Sequence, residues 1–215
     1  MKSKSRRCLT LATASSIAAL AWMMLSGSAD ASISCNASSV QTIAPPGTTI
    51  TSATHTTLPS PFNTAYCQVL GSLVSQNPGP NTVVFEVDLP DSWNGRFAFY
   101  GNGGFGGSLQ AIGTESYDSA LASGFSTAAT DTGHESLSLL DGSFLFNNLA
   151  GREDFAFRAV HESTAAAKTI IGGFYSNAAT FSYFLGCSTG GRQAMVETEK
   201  YPDDYDGLVT SLDPQ

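Results

Sequence analysis

One junction constrains this chain more than any other. Phe184-Leu185-Gly186-Cys187-Ser188-Thr189-Gly190-Gly191-Arg192 joins a short apolar run, Phe181 to Leu185, to a helix-forming stretch from about Gly190 to Lys200. Inside it lies the pattern G-x-S-x-G, at Gly186, Ser188 and Gly190. A strand that enters a helix through so few residues must turn sharply, and the residue at the apex takes a strained backbone conformation. Small flanking residues avoid clashes in that turn. The helix that begins there aims its free amides and the positive end of its dipole at the apex side chain. The junction therefore reads as a nucleophile site, with Ser188 attacking and the Thr189 amide donating to a developing oxyanion. The same letters arise by accident in chains rich in Gly and Ser, so the strand-turn-helix context carries the reading.

The flanking segments give that junction a fold class. Cys67 to Val74, Thr82 to Leu89 and Arg96 to Tyr100 have strand composition, and Asn94-Gly95 is a tight-turn signal, so an antiparallel lead-in is expected. A glycine-rich loop, Gly101 to Gly107, follows. A helix is expected over about Gln110 to Ala122, a buried strand over Phe125 to Thr130, and a polar loop at Asp131-Thr132-Gly133-His134. A second helix is expected from about Glu153 to Ile171, with Phe155, Val160, Ala167 and Ile171 on one face. Gly207 to Leu212 reads as a last strand. Strands alternating with helices predict an α/β fold with a mostly parallel sheet flanked by helices.

In α/β hydrolases the second oxyanion donor comes from the loop after the third strand. That points to Gly104, then Gly103, because glycine lets a backbone amide approach a substrate oxygen closely. The alternative is a flexible turn without a chemical role. Gly101, Gly103 and Gly106 also match a dinucleotide-binding pattern, but no acid stands at the end of a second strand beyond them.

Composition bears on where such a chain works. Lys2, Lys4, Arg6 and Arg7 precede an uncharged, mostly apolar run from Leu9 to Leu25, and Ala29-Asp30-Ala31 fits a signal peptidase site. The expectation is a signal peptide over residues 1–31, cleaved after Ala31, and a secreted or periplasmic product; an uncleaved anchor helix is the alternative. The leader holds four of the ten basic residues and one of the eighteen acidic ones, so the remainder carries a formal charge of −11. Such a surface disfavours nucleic acid and anionic lipid, and no membrane association is expected after cleavage. Of the four cysteines, Cys8 leaves with the leader. Cys35 and Cys67 are expected to pair in an oxidising compartment, closing a loop for roughly 3 kcal/mol. They would tie down residues 32–66, a Ser/Thr/Pro-rich segment expected to be irregular. Cys187 is then odd: a reactive thiol, an intermolecular bond, an absent partner or an inert buried thiol are all open.

Six stretches together resemble the tannase and feruloyl esterase family of α/β hydrolases. They are Trp93-Asn94-Gly95-Arg96-Phe97, Gly101-Asn102-Gly103-Gly104-Phe105, Thr130-Asp131-Thr132-Gly133-His134, Phe157-Arg158-Ala159-Val160-His161, Tyr183 to Gln193, and Tyr201-Pro202-Asp203-Asp204-Tyr205-Asp206-Gly207. The resemblance implies that Ser188 is the acylated nucleophile of a carboxylic ester hydrolase acting on small aromatic-acid esters. Gly103, Phe105 and His134 are then candidates for substrate contact. It implies that Cys187 pairs with a cysteine beside the catalytic His. It also implies an inserted lid domain that often carries calcium; no cofactor or metal site is expected within these residues. Members are more than twice as long, so residues 67–215 are expected to be the amino-terminal part of a catalytic domain, lacking the lid, the last strands and the triad Asp and His.

Chain order leads to the same expectation. The order in such enzymes is nucleophile, acid, His, yet His55, His134 and His161 all precede Ser188. His55 is expected to be exposed, His134 to line the pocket or to bond Asp131 within its loop, and His161 to pack within its helix. Asp213 is a weak candidate for the acid. The acidic run Asp203-Asp204-Tyr205-Asp206 lacks the loop spacing of a calcium site and is expected to cap a helix end. Two readings follow: an exported serine esterase whose base and acid lie elsewhere, or a non-catalytic remnant of one.

Overall fold

A computed structural model describes residues 31–211. The expected leader up to Asp30, and Asp213 with its neighbours in 212–215, lie outside the described residues. Seven strands form one mixed sheet in the order β1-β2-β3-β5-β4-β6-β7. These are β1 Thr48–Thr57, β2 Ala65–Ser75, β3 Asn81–Pro90, β4 Arg96–Tyr100, β5 Ser126–Thr130, β6 Phe181–Cys187 and β7 Gly207–Ser211. The first three pair antiparallel, and β3 also pairs antiparallel with β5. The rest is parallel: β5 with β4, β4 with β6, and β6 with β7. The α/β expectation holds, with two corrections.

The first concerns β4. It does not continue the antiparallel lead-in from β3, because β5 takes the place between them. Asn94-Gly95 turns the chain out of β3 and across, and the Asn94 side chain bonds the carbonyl of Ser123 before β5. Both faces of β4 are consequently covered: Phe97 and Phe99 pack into one core cluster, Ala98 and Tyr100 into another. A strand buried on both sides belongs in the parallel centre, not in a lead-in hairpin.

The second concerns residues 32–66, expected to be irregular. They hold a short helix, α1 Ala37–Gln41, capped by the Asn36 carboxamide, and all of β1. A Thr-rich strand with one exposed face lacks the apolar alternation that marks strands in sequence. The Cys35–Cys67 disulfide forms and ties the start of α1 to β2.

Helices cover the sheet: α2 Glu115–Ala122 on one face, α4 Ala159–Tyr175 and α5 Thr189–Lys200 on the other. Val160, Ala167, Ile170, Ile171 and Phe174 of α4 are buried against Phe85, Val87 and Phe99 in one core. Burying each such side chain stabilises the fold by roughly 1.5–3 kcal/mol. Phe155 leaves the face it was expected to share. The helix that starts as α3, Leu149–Glu153, widens into a π-helical turn over Asp154–Arg158 before becoming α4. The extra residue in that turn rotates everything upstream, so Phe155 points toward the glycine-rich loop instead.

Candidate active site

Residues on four segments converge at the carboxyl ends of β4, β5 and β6. Ser188 stands between β6 and α5 with φ +55° and ψ −115°, in the left-handed half of the map that L side chains rarely occupy. The turn is possible because Gly186 and Gly190 nearly touch. A Cβ on Gly186 would meet the Gly190 carbonyl carbon at 2.5 Å. The helix starts at Thr189, so the Thr189 and Gly190 amides face the turn without carbonyls of an earlier helical turn to bond. Ser188 makes no side-chain hydrogen bond to any histidine among the described residues.

The glycine-rich loop lies against this turn and is held at nearly every amide. The Gly101 N–H donates to the Leu185 carbonyl at 2.8 Å, and the Asn102 N–H to Gln193 Oε1 on α5 at 2.9 Å. The Gly103 N–H donates to Gln110 Oε1 at 2.8 Å, and Gln110 Nε2 donates back to the Gly106 carbonyl at 2.9 Å. Phe105 donates to Leu139, Gly106 to Gly103 and Gly107 to Asp131. Within Gly101–Gly107, only the Gly104 amide has no acceptor among the described residues. Gly104 also has φ +52°, and a Cβ there would lie 2.2 Å from the Leu139 carbonyl oxygen. The Thr189 hydroxyl donates to the Gly104 carbonyl at 2.5 Å. Gly103, the second choice for an oxyanion donor, has its amide engaged by Gln110.

Asn102 and Gln193 were not singled out in sequence, yet they hold the loop in place. The Asn102 carboxamide donates to the Thr130 carbonyl at 2.8 Å, and Gln193 Nε2 donates to Asn102 Oδ1 at 3.2 Å. Both side chains are buried. The signal available was Gln193 following Gly-Gly-Arg one turn into α5.

Phe105 and His134 meet in an aromatic cluster beside the loop. Phe105 lies 5.9 Å from Phe155, and the His134 ring stacks on Phe144 at 3.4 Å between centroids. Nε2 of His134 also lies against Gly107. Burial lowers the His134 pKa and keeps the ring neutral. Asp131, expected as its hydrogen-bond partner, instead accepts the Val84 and Gly133 amides at 3.0 and 2.8 Å. Burial pushes the Asp131 carboxyl up to about 7. Arg192 lies over the Phe155 ring at 4.7 Å and donates to the Phe155 and Ala156 carbonyls of the π turn. The segment after His134 exposes Leu137, Leu140 and Phe146, an apolar rim next to the loop.

The other two histidines are not brought to Ser188. His55 is exposed on β1 and pairs with Asp91 at 3.0 Å. His161 Nδ1 pairs with Asp204 Oδ2 at 2.7 Å, and its ring stacks on Tyr201. Asp204 follows the C-terminal end of α5, while Ser188 precedes its N-terminal end, which at 1.5 Å per helical residue puts them more than about 15 Å apart. Asp206 accepts the Ser182 amide at 2.7 Å, so the acidic run braces β6 and α4.

Comparison with known proteins adds the context. The family model for tannase and feruloyl esterase matches residues 67–214. Feruloyl esterase B from Aspergillus niger is 40% identical over 124 residues, covering 58% of this chain and 23% of that protein. Mono(2-hydroxyethyl) terephthalate hydrolase from Piscinibacter sakaiensis is 35% identical over 157 residues, covering 67% of this chain and 26% of that protein. The crystal structure of feruloyl esterase B from Aspergillus oryzae superposes with a TM-score of 0.70 at 31% identity, covering 79% of this chain and 35% of that one. The chain thus spans about a quarter of the length of the curated relatives it matches. No helix among the described residues is long and apolar enough to cross a membrane.

Proposed function

This chain belongs to the tannase and feruloyl esterase family, and on that premise we propose that it is an exported serine hydrolase of carboxylic esters, acting through an acyl-Ser188 intermediate. The observation that carries the reading is the pairing of a strained serine at a strand-helix junction with a single open amide, that of Gly104, in an otherwise fully bonded loop. Ser188 Oγ attacks the ester carbonyl. The Thr189 and Gly104 amides receive the oxyanion, fixed in place by Gln193, Asn102 and the Thr189 hydroxyl, so that little reorganisation accompanies the chemistry. The tetrahedral intermediate collapses, the alcohol leaves with the proton taken from Ser188, and water then cleaves the acyl-Ser188 ester to release the acid. An aromatic acid suits the rim, since Phe105, Phe144 and Phe155 with neutral His134 form a flat-ringed surface beside the loop. Serine needs a general base to react at a useful rate. None of His55, His134 and His161 serves; the base and its acid come from outside residues 31–211.

A fluorophosphonate probe followed by peptide mass spectrometry tests this. Label on Ser188, lost in Ser188→Ala, together with loss of aryl-ester turnover by the same variant of the full-length gene product, is the expected result. Turnover retained by Ser188→Ala would sink the proposal. The second reading, a non-catalytic remnant, is favoured by the lack of a histidine bonded to Ser188 among the described residues; it expects neither label nor turnover.

A further inference from the structure

We propose that His161, Glu197 and Asp204 form a binding site for a divalent transition-metal ion of the zinc class, between α4, the C-terminal half of α5 and the loop that follows it. Each residue puts one donor atom within 4.8 Å of the donors of the other two. Proximity alone is not a site, and Glu197 supplies the second observation. It is 1% exposed, and neither carboxylate oxygen has a hydrogen-bond partner among the described residues. A buried carboxylate left in that state costs several kcal/mol, and no Lys or Arg makes an ion pair with it among the described residues. The nearby Lys168 ammonium goes to the Asp204 main-chain carbonyl instead. What the Glu197 oxygens do face is an imidazole nitrogen and a second carboxylate.

The donor set selects the ion class. One imidazole nitrogen and two carboxylate oxygens suit zinc and its neighbours, with water in a fourth position, whereas calcium takes six or more oxygens. His161 Nδ1 and Asp204 Oδ2 are 2.7 Å apart as a hydrogen-bonded pair. Metal bonds of about 2.0–2.2 Å need them further apart, by less than about 1 Å. An entry path exists, because the His161 and Asp204 side chains are 35% and 16% exposed. Tyr201 stacks on the imidazole at 3.8 Å and fixes its plane. Without an ion, burial, with Asp204 beside it, pushes the Glu197 carboxyl up to about 8; the competing occupant of the cluster is a proton. His161 comes from a helix 43 residues before Asp204, which is why the spacing of Asp203-Asp204-Tyr205-Asp206 gave no sign of the cluster. The site lies at the end of α5 remote from Ser188, so its role is to fasten α5 to α4.

The test is titration of the purified, chelator-treated chain with zinc by calorimetry near neutral pH, alongside thermal unfolding, and with cobalt to read its visible absorption. A single saturable site, a zinc-dependent rise in Tm and tetrahedral-type cobalt bands are expected. Glu197→Gln and Asp204→Asn should each weaken zinc more than about tenfold, the loss that even an outer-shell partner can cause; Asp203→Asn, an exposed neighbour, should not. If Glu197→Gln fails to fold by circular dichroism, Asp204→Asn, at a less buried position, decides. No saturable binding, or affinity unchanged in the folded ligand variants, overturns the proposal and leaves the cluster as a proton-sharing carboxyl pair.

Discussion

The Thr189 hydroxyl donates to the Gly104 carbonyl at 2.5 Å, so the first helical residue after Ser188 also holds the loop residue whose amide is open. The two amides proposed to receive the oxyanion are thereby fixed relative to each other by one side chain. Thr189→Ala keeps the Thr189 amide and removes only this tether. It should lower kcat on an aryl ester about tenfold, the worth of one hydrogen bond of roughly 1–1.5 kcal/mol, with KM moving less. Thr189→Ser, which keeps the hydroxyl, should restore most of the rate in steady-state assays of the full-length gene product.

Gly104→Ala should be far more damaging. Its Cβ would collide with the Leu139 carbonyl oxygen and sit at a positive φ, so the loop must move and the amide with it. Loss of one oxyanion donor costs roughly 10²–10³ in kcat. Gly113→Ala, at a positive φ but with open space around it, is the control for backbone strain alone and should leave kcat within a few-fold.

A buried ion pair fastens the π turn to the β2–β3 hairpin. Arg158 Nε meets Asp154 Oδ1 at 2.5 Å, while Ser75 and Asn81 donate to Asp154 Oδ2 at 2.8 and 2.6 Å. Arg158→Met would strand a fully buried carboxylate and should cost about 3–5 kcal/mol in urea unfolding. Replacing Asp154 by Leu in the same chain should recover part of that, since the uncompensated charge goes too. A double variant as unstable as the sum of the singles would contradict this account.

Asp131 predicts a pH dependence of stability. Its folded pKa, about 7, lies above the unfolded value because of burial. Below the unfolded pKa both states are protonated and nothing is lost. As pH rises through that value toward 7, the unfolded chain releases the proton first, so stability falls. Asp131→Asn keeps an oxygen to accept the Val84 and Gly133 amides and removes the titration. The difference in unfolding free energy between variant and parent should grow in favour of the variant from about pH 4 to pH 7, then level off. A difference that stays flat across this range would show the carboxyl ionised in the fold.

The parts legible in sequence were those whose signal is local. Ser188 and its glycines announce a turn because only small residues fit it, and α4 repeats apolar positions at helical spacing. Strand β1 was not legible, because Thr and Ser on an edge strand give no alternation. The placement of β4 was not legible either: Asn94-Gly95 specifies a turn but not which strand lies beyond it, and β5 claims the position beside β3 only once the whole sheet is assembled. Phe155 shows how one residue can mislead. Its spacing to Val160 is read on a regular helix, and the π turn between them shifts the phase. Gln193, Asn102 and Glu197 act through contacts between segments tens of residues apart, which spacing along one segment cannot encode.

The left-handed backbone at Ser188 also bears on why that residue is a serine. Such a conformation costs an L side chain about 1–3 kcal/mol that glycine would not incur. Ser188→Gly is therefore a downhill step in fold stability. In a lineage with no use for the hydroxyl, drift at this position runs toward glycine and rewards the loss with a sturdier chain. Serine there is a standing thermodynamic handicap, which the reaction proposed for its oxygen would offset.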